Sequence, residues 1–492
     1  MHPIMRSIIG IFFTAGLAVS ALLGSAAAVR GDELLQAAHD LQAKYAADLK
    51  ELAAWCEEKG LKEQASLTLN VLGPHDPLKF YIPILPVEVG PGKLPEGASL
   101  EITEWDARLS SLRREQSAAL YDLARRAVRS RHPGLALELA LDAIRANPDN
   151  ESVRRLFGYQ KYQGQWHTLY EIKKLRLGMV WHEKFGWLPK GHVRRYEEGQ
   201  RYFDGKWISA AEDARRHHNI ESGWDIETEH YSIRTNRSLE AAVALGTKLE
   251  GLYRVWQQIF VGYYASEADV ISLFDDRDRS QRISPMQHQV VYFRDRKEYN
   301  RALRASIPNI DISIGMYLDS MRIAYFFAGK DSDDRTIYHE ATHQLFHESR
   351  EVAADVGRRG NFWIVEGIAM FMESLKVENG YYVLGGLDDD RLAAARYRLL
   401  HDHFYIPLAQ LVGLGMEQLQ KDPKIATLYS QSAGLTHFLI HYDHGRYRDA
   451  LVAYLRAVYS GQDSPETLSL LTGATYGELD KQYREFMEQA GK

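Results

Sequence analysis

In the stretch "TIYHEATHQLF", Thr336 to Phe346, His339 and His343 stand four residues apart and Glu340 directly follows the first. Residues i and i+4 of a helix lie on one face, a turn apart. Both imidazoles can therefore direct a nitrogen at a single zinc ion. A carboxylate beside the first ligand reaches water at the metal rather than the metal itself. Zinc brings the pKa of such a water toward about 7, and a carboxylate can then take its proton. The spacing thus predicts a metal, a water and a base within two helical turns.

A catalytic zinc takes a third protein ligand and keeps one position open. The best candidate is Glu366, in the apolar stretch "NFWIVEGIAMFMES" (Asn361 to Ser374), which reads as a second helix. The intervening "SREVAADVGRRGN" is long enough to fold that helix back on the first. Two rivals are weaker. His347 continues the four-residue series but lies about 12 Å along the axis from His339 at 1.5 Å per residue. Asp355 sits in a polar loop with no apolar frame to fix it. The pattern H-E-x-x-H-x-x-G-x-x-H is excluded, because Phe346 and Ser349 stand where it needs glycine and histidine.

"HEATHQLF" followed by "FWIVEGIAMFMES" resembles the gluzincin, or peptidase-MA-like, zinc metallopeptidases. Their pattern is H-E-x-T-H, then W-x-x-E-G-x-A, and Trp363, Glu366, Gly367 and Ala369 fall on its second half. The resemblance covers roughly residues 225–490, including "GMYLDSMRIAYFF" and the later "LYSQSAGLTHFLIHYDHG". It implies peptide-bond hydrolysis, one zinc held by His339, His343 and Glu366, and Glu340 as general base. Met370 stands where thermolysin-type members carry an aspartate. Glu373 resembles the acid of the MA-like subgroup, which would hold a ligand histidine from behind; it reads equally as a solvated surface carboxylate. Tyr429 matches a late-helix tyrosine that donates to the oxyanion, and His437, two turns on, is a second candidate; tyrosine on an apolar helix is also a common core residue. More narrowly, the whole layout resembles an uncharacterised family of exported planctomycete-type proteins, a resemblance that carries no activity.

The elements that must position these residues occupy a chain of 492 residues, long enough for two or three domains. With 45% hydrophobic and 26% charged residues it reads as globular. Sixty basic residues against 66 acidic ones, with no basic block, argue against a nucleic-acid partner. Residues 1–28 have the layout of a secretory signal peptide: Arg6, an apolar run from Ile8 to Leu23, and small residues at Ala26, Ala27 and Ala28. Left uncleaved, the same segment would anchor the protein in a membrane. The only cysteine, Cys56, excludes an intramolecular disulfide.

Residues 32–159 read as helical. They contain one tetratricopeptide-like hairpin, "LALELALDAIRANPDNESVRRLFGY" (Leu135 to Tyr159), either a partner-binding arm or a pair packed on its neighbour. One hairpin falls short of the roughly three repeats a solenoid needs. Residues 160–222 carry "GQWHTLYEIKK" and "GKWISAAEDAR", a shared G-x-W-x4-E pattern, with "FGWLPKG" between them; these read as short hairpins pinned by an aromatic. From 225 to 490 an α+β layout is expected, a small sheet followed by helices. "IETEHYSIRTN" alternates as a strand, and Ser238 suits the N-cap of "SLEAAVALGTKLEGLYRVWQQIF". "HQVVYF" is a strand, and "GMYLDSMRIAYFF" a hairpin turning at Asp319-Ser320. The sheet edge near Ala324–Phe327 is expected to align a peptide by strand addition. The reading is an exported zinc metallopeptidase acting on a peptide or protein. The alternatives are an exported zinc-containing binding or scaffold protein without turnover, and a metal-free helical module.

Overall fold

The computed structural model describes residues 9–89, 97–275, 287–330 and 332–491, with side chains from Glu33 onward. The first eight residues of the expected leader, and the side chains at its expected cleavage site, lie outside the described residues. Among the described residues no helix is long and apolar enough to cross a membrane.

The chain is α+β and forms two units. The first comprises Met1–Pro74, Val89–Leu156 and Ala265–Asp276, and its described elements are all helices. Helix Ile9–Glu58 spaces Tyr45, Leu49, Leu52 and Cys56 by three or four residues, so they share one face and bury with Trp105 and Leu109 of helix Leu100–Arg129. Ser99 caps the latter, accepting a hydrogen bond from the Ile102 amide. Helix Pro133–Ala146 lies along it, pinned where the Ser117 hydroxyl donates to the Ala143 carbonyl at 2.7 Å. After the "NPDN" turn the chain forms only the six-residue helix Glu151–Leu156. The main partner of Pro133–Ala146 is therefore the helix before it rather than the one after.

The second unit comprises His75–Glu88, Phe157–Tyr264 and Arg277–Lys492. It opens with strand β1 (Lys79–Pro83), which corrects the reading of residues 32–159 as wholly helical. Three β-hairpins follow: β2 (Tyr159–Tyr162) with β3 (Gln165–Thr168), β4 (Met179–His182) with β5 (Gly186–Pro189), and β6 (Gln200–Phe203) with β7 (Lys206–Ser209). Each leads into a short helix. Gln163-Gly164 and Asp204-Gly205 all have positive φ, which suits the mirror-image turn of a two-residue hairpin. The glutamate of the repeat has a local cause as well. Thr168 caps its helix and Glu171 reaches back to the Thr168 amide, while Ser209 caps the helix that carries Glu212.

A five-stranded sheet carries the next segment: β8 (Trp224–Glu227), β9 (Tyr231–Thr235), β10 (His288–Phe293), β11 (Met316–Leu318) and β12 (Ile323–Phe327), in the order β11-β12-β10-β9-β8. β9, β10 and β12 run parallel, and β8 and β11 pair antiparallel at the two edges. Two expectations need correction. "IETEHYSIRTN" is a hairpin of β8 and β9 rather than one strand. Ala324–Phe327 is not the sheet edge, since β12 is paired on both sides and β11 is the edge. The reason is burial: Ala324, Phe326 and Phe327 are at most 1% exposed, and a run apolar on both faces belongs in the middle of a sheet. The hairpin between β11 and β12 does enclose Asp319-Ser320, as expected.

Beyond Asp333 the chain is mainly helical, broken by one hairpin, β13 (Lys376–Glu378) and β14 (Tyr381–Gly385). β1 joins β14 antiparallel in the order β1-β14-β13.

Candidate metal centre

Helix Asp334–Glu348, the first ligand helix, begins where the Asp333 carboxylate accepts from the Thr336 amide at 2.8 Å. Ile337, Ala341 and Leu345 bury one side of it, which leaves His339, Glu340 and His343 on the other. Helix Phe362–Met372, the second ligand helix, is entered through Asn361 in the left-handed conformation that asparagine tolerates. The Asn361 side chain is held by Asp463 and by the Tyr454 hydroxyl. This helix is buried along its length apart from the half-buried Glu366. Trp363 anchors it, fully buried beside Tyr454. At Gly367 the helix meets helix Ile425–His441, the late helix, so closely that a Cβ there would lie 2.9 Å from the Ser432 carbonyl oxygen and against Thr436. That contact needs glycine.

The two ligand helices bring His339, His343 and Glu366 together, each offering one donor atom within 4.8 Å of the others. The two Nε2 atoms are 3.1 Å apart, and Glu366 oxygens lie 3.6 Å from His339 Nε2 and 3.8 Å from His343 Nε2. Ligand bonds of about 2.0–2.2 Å in a tetrahedron give edges of about 3.4 Å, so this donor set fits a single zinc-sized ion. Asp355 is not among the donors; it faces Arg359 at 3.6 Å. His347 is not among them either, and packs between the rings of Tyr317 and Tyr459.

Glu373 is 6% exposed, so its reading as a surface carboxylate fails. Its Oε1 lies 2.8 Å from His339 Nδ1. Arg391 donates to both of its oxygens, at 2.9 and 3.0 Å, and Arg335 adds a contact at 3.3 Å while also reaching Asp389 and Asp390. Burial opposes the charge on Glu373, but hydrogen bonds from His339 and Arg391 outweigh it and hold the carboxyl below its usual range. With the carboxylate on Nδ1–H, the other ring nitrogen, Nε2, is the one turned toward His343 and Glu366.

The Glu340 carboxylate accepts a hydrogen bond from the backbone N–H of Tyr317, on edge strand β11, at 2.9 Å. Burial pushes its pKa up to about 7; the charge of His339 and the Tyr317 amide pull the other way, and Glu366 and Glu373 add to the rise. β11 is itself pinned to the first ligand helix, because the Tyr317 hydroxyl donates to Glu348, which also binds the buried His288 at 2.7 Å. Burial lowers the affinity of His339 for a proton, yet its hydrogen bond to Glu373 and the surrounding carboxylates raise its pKa to about 9. His343 is driven well down by burial and by its neighbour His339, and Glu366 is raised by burial.

Tyr429 is half-buried on the late helix, its phenol made harder to ionise by burial and by the nearby charge of Glu366. His437 is turned elsewhere. It is fully buried, packs on Phe371 and lies 3.5 Å from Asp389. The Tyr317 amide, Arg335 and Arg391 escaped the sequence reading, because a backbone donor leaves no residue signature and neither arginine lies at helical spacing from the acid it grips.

Two imidazoles and a carboxylate, with the half-buried Glu340 beside them, form a cluster whose three donors can hold a metal ion. Residues 333–462, which span both ligand helices and the late helix, match a family described as protein of unknown function (DUF1570). No curated protein matches the chain.

Proposed function

We propose that this chain is an exported zinc-dependent metallopeptidase that hydrolyses peptide bonds. The observation that carries the reading is the convergence of His339, His343 and Glu366 at zinc-ligand spacing with Glu340 beside them, a carboxylate that a purely structural site does not use. A zinc ion held there supplies a Lewis acid for the scissile carbonyl and acidifies a water. Glu340, with a pKa of about 7, is matched to taking a proton from that water and passing it to the leaving amine. Tyr429, kept protonated by its surroundings, donates to the oxyanion. Glu373 fixes the His339 ring through Nδ1. A substrate strand adds along β11. The N–H of Tyr317 goes to Glu340 rather than to β12, and in an antiparallel pair the carbonyl of the same residue also faces outward, as an acceptor for the incoming peptide. Export rests on the leader of residues 1–28.

The test is zinc per chain together with cleavage of an unfolded protein substrate, for wild type, Glu366→Ala and Glu340→Gln. A single catalytic site predicts about one zinc in the wild type and in Glu340→Gln, much weaker retention in Glu366→Ala, and cleavage by the wild type alone. Zinc without cleavage in any form would leave the binding-protein alternative standing. No zinc after resupply would overturn the reading.

A further inference from the structure

The three hairpins offer the same backbone group in the same place, and the chain itself fills the first. Pairs flanking a two-residue turn exchange hydrogen bonds, and the next pair back does not, so the next residue's N–H points away from the hairpin. In β3 that residue is Trp166, paired with Lys161. Its N–H donates to the carbonyl of Val87 at 2.8 Å, and Gln165 beside it donates to the Glu88 carboxylate at 2.5 Å. Val87 and Glu88 thus lie against Trp166 and Gln165 in antiparallel order, and Trp166 is only 2% exposed.

β7 repeats this arrangement with nothing in place. Trp207 pairs with Tyr202 one step back from the Asp204-Gly205 turn. The Ala210 amide bonds to the Gly199 carbonyl, which sets the same parity and turns the Trp207 N–H outward. Among the described residues no group accepts from it. The ring of Trp207 is half-exposed within a cluster of Tyr202, His192 and Tyr196, with the Arg195 guanidinium 4.7 Å from its centroid. Tyr202 is 45% exposed. Where β3 has Gln165 facing Glu88, β7 has Lys206, exposed and without an ion-pair partner among the described residues. The second hairpin has Gly186 there and no side chain to contribute.

We propose that the edge of β7, with Trp207 and Lys206, is a docking site for an extended acidic peptide segment of a partner protein. The segment binds as Val87-Glu88 does at β3. One of its carbonyls accepts from the Trp207 N–H, its side chain rests on the Trp207–Tyr202 face, and its next residue places a carboxylate on Lys206. This site is separate from the metal centre and does not depend on it.

The experiment uses the full-length chain and a fluorescent peptide with the sequence of residues 82–89, IPILPVEV, beside a second peptide carrying Lys in place of the Glu. Anisotropy should show saturable binding of the acidic peptide. Lys206→Glu should weaken it about five- to tenfold and reverse the preference toward the lysine peptide. Trp207→Ala should weaken both peptides by on the order of tenfold. Lys206 is exposed, so its charge reversal decides the matter even where Trp207→Ala disturbs the hairpin. Absence of saturable binding overturns the proposal, as does binding indifferent to both substitutions, which would place the peptide at β3 by displacement of the chain's own segment.

Discussion

Oε1 of Glu373 and Nδ1 of His339 are 2.8 Å apart, and Arg391 grips the same carboxylate with two nitrogens. The His339 ring is thereby fixed in orientation by contacts that need no metal ion. Glu373→Ala should lower metal affinity about 10–100-fold, the usual effect of losing a carboxylate behind a ligand histidine. Glu373→Gln should lie between, since its amide oxygen still accepts from Nδ1–H but no longer pairs with Arg391. Competition against a chelating dye measures both.

Tyr429→Phe removes the hydroxyl proposed to donate to the oxyanion and leaves the ring to pack. Turnover should fall about 10²–10³-fold with zinc content unchanged. Unchanged turnover with intact zinc would return Tyr429 to an ordinary packing role.

The metal-free protein should lose stability as the solution becomes alkaline. The pKa of His339 rises from 6.5 to about 9 on folding, so its contribution is complete below pH 6.5 and is lost as pH climbs through 9. Glu340, raised from 4.5 to about 7, acts with the same sign over the lower window. His343, depressed by folding, has the opposite sign and costs stability as pH falls below 6.5. The melting temperature of chelator-treated protein should therefore drop between pH 7 and 9. A flat profile over that range would falsify the assignment of the His339 proton.

Gly367→Ala inserts a methyl between the second ligand helix and the late helix, where the Ser432 carbonyl and Thr436 leave no room. Overpacking of this kind costs about 1–3 kcal/mol, measurable by urea unfolding. Because the shift falls one residue from Glu366, zinc retention should fall with stability. Retention at wild-type levels would mean that the helix moves without disturbing its ligand.

The cluster of His339, His343 and Glu366 was legible because it is written at helical spacing: His339 and His343 lie one turn apart on one face, and Glu366 sits on an apolar run that reads as a helix. Its supports were not legible. Arg391 reaches Glu373 from a different helix, and the Tyr317 amide is a property of a strand edge rather than of tyrosine. Assigning Ala324–Phe327 to the sheet edge failed because the proximity of "IAYFF" to the motif was read while its two-sided burial was not. The hairpins of residues 160–222 were found through glycine and tryptophan. Strand β1 was missed, because Lys79–Pro83 has no period of its own and becomes a strand only by pairing with β14.

That pairing joins positions some three hundred residues apart, from Lys79 with Gly385 to Pro83 with Tyr381. Closing so long a loop is slow compared with local helix formation. During synthesis β1 emerges early and must wait for some three hundred further residues before its partner exists. A shortened protein beginning at residue 157 or 225 would keep every metal ligand yet leave β14 with one bare flank, a surface prone to sticking to other chains. A fragment meant to carry the chemistry alone should therefore begin no later than His75.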